Sequence, residues 1–406
     1  MKLKRIVLLI FPIIFIGFAQ DSENDKLTYV RYDKNVLHTP AGDSGNLEHF
    51  WQKFHNAVRS LDKLNIVHFG GSHIQVDIYP NLMREKLYMI DSLNISSRGL
   101  VFPYSTAETN NPLNYKNTYT GVWQGQRSSV SYHKSTWGLI GITASTTDLN
   151  PSFELDFDRG NTPVEFNKAL VFCNSSEVGY NISLPDAAGI YDLNYTTEGY
   201  AEITYAKNQK DFAIEFKADE NHEELFIWGV YLQNDNYGVT YNSIGVNGSK
   251  FTSFKRCEKF DEQLNYVYPD LAIISIGTND SSDPDFDSVN YENNYDSFMQ
   301  QVLKANPNCA FVLTVPNDNF IKRKYVNTHL PEVRRVIFRL AKKYKTHVWD
   351  MFGIMGGLES SKIWLQNDMM KSDLVHFTVD GYKLKGELFY DAFMQEYRNR
   401  FPDNDE

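Results

Sequence analysis

The chain has 406 residues, of which 42% are hydrophobic, and its 40 basic and 51 acidic side chains give a formal net charge of −11. This length leaves room for a large core and for two domains of ordinary size. The acidic balance, without a long basic run, argues against nucleic acid or an anionic membrane surface as a partner. Three widely separated cysteines, Cys173, Cys257 and Cys309, indicate buried thiols rather than a disulfide framework or a metal cluster.

The N-terminus has the pattern of a secretory signal peptide. Lys2, Lys4 and Arg5 precede a short apolar run, and the small residues that follow it predict cleavage after Ala19. The apolar run is too short to span a bilayer comfortably, so an uncleaved anchor is the weaker alternative. We therefore predict a secreted or periplasmic protein, with residues 1–19 as signal peptide and no membrane span after its removal.

A serine lies at a predicted turn between a strand and a helix. After a polar lead-in without clear periodicity, the pattern predicts a helix, a short buried strand and a second helix, at residues 47–64, 66–69 and 74–89. The strand ends in Gly70-Gly71-Ser72. Such a turn exposes the serine hydroxyl at the carboxyl edge of a sheet, where backbone N–H groups can face a developing negative charge. Ser72 is therefore a candidate nucleophile, although the same tripeptide also occurs in plain turns.

The hydrophobic period then changes from helical to two. Nine short strands are predicted, separated by Gly, Pro, Asn and Asp, with no good helix among them. They lie at residues 128–133, 138–144, 152–157, 169–173, 179–184, 190–195, 201–206, 212–218 and 225–232. Many short strands at regular spacing favour a β-sandwich or jelly roll, which we place at residues 112–241.

Helices and strands alternate again in the C-terminal part. Apolar strands are predicted at residues 270–276, 310–315 and 346–351, and helices at residues 251–264, 291–305, 330–344 and 378–401. Wholly apolar strands that alternate with helices are typical of a parallel sheet covered on both faces. Because the Ser72 strand needs that sheet as its neighbour, we predict one discontinuous α/β domain, residues 47–111 and 242–406, preceded by a lead-in at 20–46. The alternative is two independent domains in tandem, which leaves the first strand without a sheet.

Polar residues follow the predicted strand ends, where open α/β sheets carry their sites. They are Asn242 to Ser249 after the β segment, Gly277-Thr278-Asn279-Asp280 after a strand, and Asp373-Leu374-Val375-His376 before the last helix. With the serine they offer a nucleophile, a backbone donor, an amide and an Asp/His pair. Each block also has an ordinary explanation, since the Asp/His pair could be solvated at a helix start and the Asn-Asp pair could form a turn.

These blocks, in this order, resemble the SGNH, or GDSL-like, hydrolase family. That family has a Gly-Asp-Ser block near its start, a glycine block, a Gly-x-Asn-Asp block and a terminal Asp-x-x-His block. The resemblance covers about residues 47–112 and 241–401. It implies a flavodoxin-like three-layer α/β fold with a parallel sheet, interrupted here by an inserted all-β domain. The mechanism that it implies needs no cofactor and no metal.

The resemblance also implies a role for each matching residue. Ser72 would be the nucleophile, His376 its general base and Asp373 the acid that orients the histidine. The oxyanion hole would consist of the backbone N–H groups of Ser72 and Gly248 and the side-chain amide of Asn279. These roles are chemically consistent, because a serine hydroxyl needs a base to take its proton and the base needs a carboxylate to fix its tautomer.

One position departs from the family pattern, and one block fits it in two ways. Gly71 occupies the position of the family's usual aspartate, so a carboxylate that would brace the turn is absent. His73 and Asp77 could replace some of that bracing by hydrogen bonds. The glycine block fits either Gly245 or Gly248, and the Gly-x-x-Gly pattern favours Gly248.

The combined pattern predicts an exported serine esterase that removes O-acyl groups, above all O-acetyl, from a carbohydrate or cell-wall glycan. Family members with an inserted β-sandwich are often carbohydrate esterases, including those that act on O-acetylated peptidoglycan, so the predicted partner is an acylated carbohydrate or peptidoglycan-type substrate. One alternative is a glycan O-acetyltransferase, in which a sugar hydroxyl resolves the acyl-enzyme. Another is a non-catalytic glycan-binding protein on the same fold, an interpretation that Gly71 motivates.

Overall fold

The computed structural model describes residues 27–90 and 95–402. The predicted signal peptide at residues 1–19 lies outside these ranges. Among the described residues, no helix combines the length and the apolar character that are needed to cross a membrane.

The strands of the described ranges are β1 (Leu37–His38), β2 (Lys63–Gly70), β3 (Gly99–Val101), β4 (Lys116–Thr120), β5 (Gln124–Arg127), β6 (Ile142–Thr146), β7 (Ser152–Asp156), β8 (Phe166–Cys173), β9 (Tyr180–Ser183), β10 (Tyr191–Tyr195), β11 (Ala201–Gln209), β12 (Phe212–Ala218), β13 (Leu225–Gln233), β14 (Gly238–Gly245), β15 (Leu271–Ser275), β16 (Ala310–Val315), β17 (Phe320–Ile321), β18 (Tyr325–Val326) and β19 (His347–Asp350). The α-helices are α1 (Gly45–Ala57), α2 (Ser72–Gln75), α3 (Ile78–Ile90), α4 (Phe251–Phe254), α5 (Phe260–Val267), α6 (Thr278–Ser281), α7 (Ser288–Ala305), α8 (Leu330–Tyr344), α9 (Met351–Met355), α10 (Ser360–Gln366) and α11 (Val379–Arg400).

Strand β2, which leads into Ser72, lies inside a six-stranded sheet of order β1-β19-β16-β15-β2-β14. The strands from β19 to β14 are parallel, whereas β1 is antiparallel at the edge. The prediction of a parallel sheet is therefore correct for five strands and wrong for the edge strand. Strand β1 lies in the predicted lead-in. It is only two residues long, so it has no recognisable hydrophobic period.

Alternate residues of the central strands enter two different cores. On β15, Leu271 and Ile273 pack in a core formed with α1, α3 and α11, whereas Ala272 and Ile274 pack in a core formed with α5, α7 and α8. Both faces of the sheet are thus covered by helices, which explains why these strands are apolar along their whole length.

Between α3 and β14 the chain forms two antiparallel sheets. One has the order β10-β11-β8-β13-β6-β5, with β3 also paired to β13, and the other has the order β4-β7-β12-β9. Eight of the nine predicted strands overlap observed ones, but the prediction for residues 128–133 is wrong, because these residues form turns after β5. Strands β4 and β5 were not predicted, since the segments Lys116–Thr120 and Gln124–Arg127 are polar and only Asn117 among them is buried.

Two predicted helices are broken in the structure. The predicted helix 74–89 becomes α2 and α3, separated at Asp77, whose φ of 51° lies in the left-handed region. Arg84 stabilises this break, since its Nη2 donates to the two carboxylate oxygens of Asp77 at 2.6 and 2.8 Å. Ser243 of β14 donates to the same carboxylate at 2.7 Å, which ties the break to the sheet. The predicted helix 251–264 is likewise divided into α4 and α5.

The three cysteines agree with the prediction of buried thiols. Cys173, Cys257 and Cys309 are all buried and free. Burial raises the pKa of Cys257 to about 12, so this thiol stays protonated and unreactive at neutral pH.

Gly70, at the end of β2, lies where helix α2 packs closely against the sheet. A Cβ at this position would lie 2.1 Å from Ile74 Cγ1, on the buried face of α2. We expect Gly70→Ala to lower the free energy of unfolding by about 1–3 kcal/mol, as overpacking does, measured by urea denaturation. Gly45→Ala, at the start of α1 where a Cβ would meet nothing within 4 Å, is the matched control. Equal urea midpoints for the two variants would contradict the prediction.

Candidate active site

Three strand ends bring the predicted site residues to one edge of the sheet. In the register of the parallel strands, Gly70 of β2 pairs with Gly245 of β14 on one side and with Ser275 of β15 on the other. Ser72 follows the first of these strands, Gly248 the second and Asn279 the third. Because the carboxyl ends of β2, β14 and β15 lie side by side, the loops that carry these residues meet at that edge of the sheet.

Ser72, His376 and Asp373 form one chain of hydrogen bonds. The Ser72 Oγ lies 2.7 Å from Nε2 of His376, although 304 positions separate the two residues. The Nδ1 of His376 lies 2.8 Å from Oδ2 of Asp373. Since an ionised carboxylate only accepts, Nδ1 carries the proton and Nε2 is left to accept from the serine hydroxyl.

The carboxylate of Asp373 is fixed by its own loop. Its Oδ1 accepts the backbone N–H groups of Val375 and His376, each at 2.9 Å. Burial opposes ionisation of this group, but the hydrogen bonds from the His376 amide and ring outweigh burial and hold the pKa of Asp373 below its ordinary value. The loop therefore keeps a negative charge directed at the histidine ring.

The serine and the histidine open into a cleft of about 400 Å³. Most of its lining residues are polar, with Val76 and Val375 as the aliphatic members. The lining residues are Ser72, Val76, Asn110, Asn247, Gly248, Asn279, Lys371, Val375, His376 and Tyr382. The three residues predicted for the oxyanion hole thus face the same space as the candidate nucleophile and base.

Hydrogen bonds hold the predicted oxyanion residues in place. The Nδ2 of Asn279 donates to the Ser249 carbonyl at 3.0 Å, and the Asn247 N–H donates to Oε1 of Gln75 at 2.7 Å. Gln75 lies on the last turn of α2, one turn after Ser72, and is buried. It joins the nucleophile turn to the loop of Gly248. Gln75 was not among the predicted site residues. Its position three residues after Ser72 is visible in the sequence, but its burial and its contact with Asn247 are not.

The two glycines of the glycine block occupy different positions, and the role predicted for Gly248 stays a prediction. Gly245 is the last residue of β14, and a Cβ there would lie 2.1 Å from the backbone nitrogen of Gln75. Gly245 therefore allows α2 to pack on the sheet. Gly248 has a φ of +80° and lines the cleft.

Gly71 leaves room for the amide of Asn279. A Cβ at position 71 would lie 3.3 Å from the Asn279 Nδ2 and 3.5 Å from the Ser249 Oγ, so a larger side chain would press on both. The Ser249 Oγ instead donates to the Gly70 carbonyl at 3.1 Å, which ties the glycine loop to the end of β2. A hydroxyl from the neighbouring loop thus supplies bracing at this turn.

His73 is buried directly behind the base. Its ring centroid lies 5.2 Å from that of His376, and its Nδ1 lies 2.9 Å from the hydroxyl of Tyr382. Burial, with the nearby charges of Lys385 and His376, holds the pKa of His73 well below its ordinary value. His73 is therefore neutral at physiological pH and places no positive charge behind His376. His73 and Asp77 were predicted to brace the serine turn. In the structure, His73 is hydrogen-bonded to Tyr382, and Asp77 binds Arg84 and Ser243 of β14.

The C-terminal part of the chain is similar to a known hydrolase family. Residues 217–384 match the model of the GDSL-like Lipase/Acylhydrolase family. The matched range includes Gly248, Asn279, Asp373 and His376, and it begins after Ser72. Residues 217–384 thus have the features of a GDSL-like hydrolase. The prediction of a serine enzyme that acts on ester bonds is thereby confirmed at the level of the family, whereas the roles of single residues stay predictions.

Solved structures show how far the fold of this hydrolase is shared. A peptidoglycan O-acetylesterase is 19% identical and matches with a TM-score of 0.74, over 89% of this chain and 99% of that one. An acetyl xylan esterase, 18% identical, matches over 38% of this chain and 81% of its own, with a TM-score of 0.31. A GDSL-like lipase from Bacteroides thetaiotaomicron, 24% identical, covers 38% of this chain and 76% of its own, with a TM-score of 0.32. No curated protein matches the chain.

Asp280, next to Asn279 in α6, gives the hydrolase a pH-dependent stability. Burial raises the pKa of this carboxyl to about 7, so the folded chain keeps a proton that the unfolded chain loses above about pH 4. The stability due to Asp280 is therefore present below about pH 4 and is lost as the pH rises through about 7. We expect the urea midpoint of Asp280→Asn to fall less between pH 4.5 and 7.5 than that of the wild type.

The exposed neighbour Asp283 provides the control for this pH dependence. Its pKa is lowered by a hydrogen bond from Lys250, so Asp283→Asn should leave the slope above pH 4.5 unchanged. Parallel curves for the wild type and Asp280→Asn would show that Asp280 is ionised throughout.

Proposed function

We propose that this GDSL-like hydrolase is an exported serine esterase that removes O-acetyl groups from a carbohydrate, with a peptidoglycan-type glycan as the first substrate class to test. The observation that carries the proposal is the hydrogen-bonded chain from Ser72 through His376 to Asp373, with distances of 2.7 and 2.8 Å. Residues so far apart in sequence meet here in the order that acyl transfer requires.

Each residue has one chemical role in the proposed reaction. The Ser72 Oγ attacks the ester carbonyl while His376 Nε2 takes its proton. As the bond between the carbonyl carbon and the sugar oxygen breaks, the protonated histidine gives that proton to the departing sugar oxygen. Asp373 keeps the ring in the correct tautomer and stabilises its charged form. In the second half of the reaction, His376 activates water, which releases acetate from the serine.

The oxyanion formed on the ester carbonyl would be met by three donors. These are the N–H groups of Ser72 and Gly248 and the amide of Asn279, all of which line the cleft. One N–H of Asn279 is used by the Ser249 carbonyl, and a primary amide has a second N–H that can face the oxyanion. Preorganised donors of this kind stabilise charge that develops only in the transition state.

The lining of the cleft favours a small acyl group on a polar alcohol. Three asparagines and Lys371 surround the serine, and only two aliphatic side chains line the space. A long acyl chain would need a more extensive apolar surface. The structural similarity to a peptidoglycan O-acetylesterase extends over nearly the whole chain and motivates the choice of glycan, while the N-terminal pattern supports export.

We infer further that the two antiparallel sheets form a β-sandwich inserted into the hydrolase domain, with residues 112–241 as its approximate extent. The chain leaves the central sheet after β2 and returns to it at β14, which pairs with β2 itself. Strand β3, at Gly99–Val101, already pairs with β13 of this region. The apolar core of the antiparallel sheets continues into one face of the central sheet, so the insert would be rigidly attached.

The proposed triad predicts the loss of activity in three variants. We expect Ser72→Ala and His376→Ala each to lower kcat on p-nitrophenyl acetate by about 10⁴-fold or more, and Asp373→Asn by about 10⁴-fold, because each removes part of one unit. Urea midpoints close to that of the wild type would show that the fold is intact. Undiminished turnover by Ser72→Ala would refute the proposal, and a serine-directed phosphonate should label Ser72 in the wild type alone.

The proposed oxyanion hole predicts a smaller loss. Asn279→Ala should lower kcat on the same ester by about 10²–10³-fold, with little change in KM, because its amide acts mainly on the transition state. Asn247→Ala is the matched control, since Asn247 lines the same cleft but is bound to Gln75 through its backbone N–H. Equal losses in both variants would assign the effect to the shape of the cleft.

A further inference from the structure

Arg98 is a buried cation that lies outside the catalytic cleft. Its side chain is 8% exposed, and among the residues that the structure describes its Nη1 has no hydrogen-bond partner. The closest carboxylate oxygen is Oδ2 of Asp77, 3.7 Å from the Arg98 Nη2, which is beyond hydrogen-bond distance. The rings of Tyr115 and Phe157 lie 5.7 Å from its guanidinium carbon. The guanidinium is thus desolvated without a strong acceptor.

The nearby carboxylate is already saturated by other donors. Asp77 accepts two hydrogen bonds from Arg84, one from Ser243 and one from Nδ2 of Asn114. Two guanidinium groups and one carboxylate leave this buried cluster with one positive charge in excess. Burial, together with Arg84, lowers the pKa of Arg98 to about 10, so Arg98 is still charged at neutral pH. A buried charge whose nearest carboxylate is shared with a second cation and lies beyond hydrogen-bond distance is incompletely compensated.

Both arginines line a small cavity between α3, β14 and the antiparallel sheets. Its volume is about 40 Å³, which is enough for a small ion or a few waters. Asn114 also lines the cavity, and its buried Oδ1 has no partner among the described residues. Asn81 lines the cavity as well, but its Nδ2 is used by Glu85 at 2.7 Å. The cavity thus offers free cationic donors together with one free acceptor, which complements an anion accompanied by a water or a hydroxyl.

We propose that this cavity is a binding site for a monovalent anion, chloride or the carboxylate of acetate, on the guanidinium of Arg98. One negative charge neutralises the excess of the cluster, and the volume excludes larger polyanions. The bound anion would join α3 and β14 to the loop at residues 157–164, and it would therefore stabilise the junction between the central and antiparallel sheets. This inference does not depend on the proposed esterase activity.

The test is the thermal stability of the purified protein at constant ionic strength. Sodium gluconate is replaced stepwise by sodium chloride in one arm and by sodium acetate in the other. A ligand that binds only the folded state should raise Tm with the logarithm of its concentration once that concentration exceeds Kd, by about 2–4 °C over two decades. A rise with chloride alone identifies a halide site, and a rise with acetate identifies a carboxylate site. The absence of such a rise with both anions overturns the proposal.

Variants and diffraction keep the test specific. Arg98→Met retains the apolar stem and should abolish the anion-dependent rise. Arg159→Met removes an exposed arginine of the 157–164 loop that does not line the cavity, and it should retain the rise. A rise that persists in Arg98→Met places the anion elsewhere and refutes the site. If Arg98→Met does not fold, bromide-soaked crystals of the wild type decide the question. An anomalous peak within hydrogen-bond distance of the Arg98 guanidinium supports the site, and a water at that place overturns it.

Discussion

The in-register pairing of β2 between β14 and β15 is the constraint on which the rest of the molecule depends. It aligns Gly70, Gly245 and Ser275 at one level. Glycine at the first two positions lets α2 lie directly on the sheet, because a Cβ at either would enter the backbone or side chains of that helix. The serine turn, the glycine loop and the amide of Asn279 follow from that alignment. A shift of one residue in either pairing would separate them.

Beneath this edge, four neighbouring strands each contribute one polar side chain to a single network. The Nδ1 of His68 lies 2.7 Å from the Tyr241 hydroxyl, its Nε2 lies 2.7 Å from the Ser275 Oγ, and Ser275 lies 2.8 Å from the Thr314 Oγ1. Tyr79 of α3 contacts the same histidine at 3.0 Å. Burial keeps the pKa of His68 well below its ordinary value, so the network is neutral. Satisfied polar groups in an apolar sheet are directional, and they fix the register that apolar contacts alone leave free.

The sequence predicts the strongly periodic parts of this fold well and the polar parts poorly. The strand 310–315 and the helix 330–344 have the predicted bounds, because their apolar spacing is unbroken. The helix break at Asp77 was not predicted, because it depends on contacts of Asp77 with Arg84 and Ser243 that the apolar period does not reveal. Strands β4 and β5 were not predicted, because polar edge strands have no hydrophobic alternation. For the site, motif order predicted which residues converge. The contacts of Gln75, His73 and Ser249 depend on tertiary packing and could not be predicted.

The position of β2 also has a consequence for folding kinetics. The antiparallel sheets contain two local hairpins, β10 with β11 and β5 with β6. Strand β2, in contrast, finds its neighbours only in Gly238–Gly245 and Leu271–Ser275, far along the chain. Non-local parallel pairing closes long loops and is slow compared with local hairpins. The central sheet should thus be completed late, so that a partly folded chain carries the serine turn without its partners and gains them in the last steps of assembly.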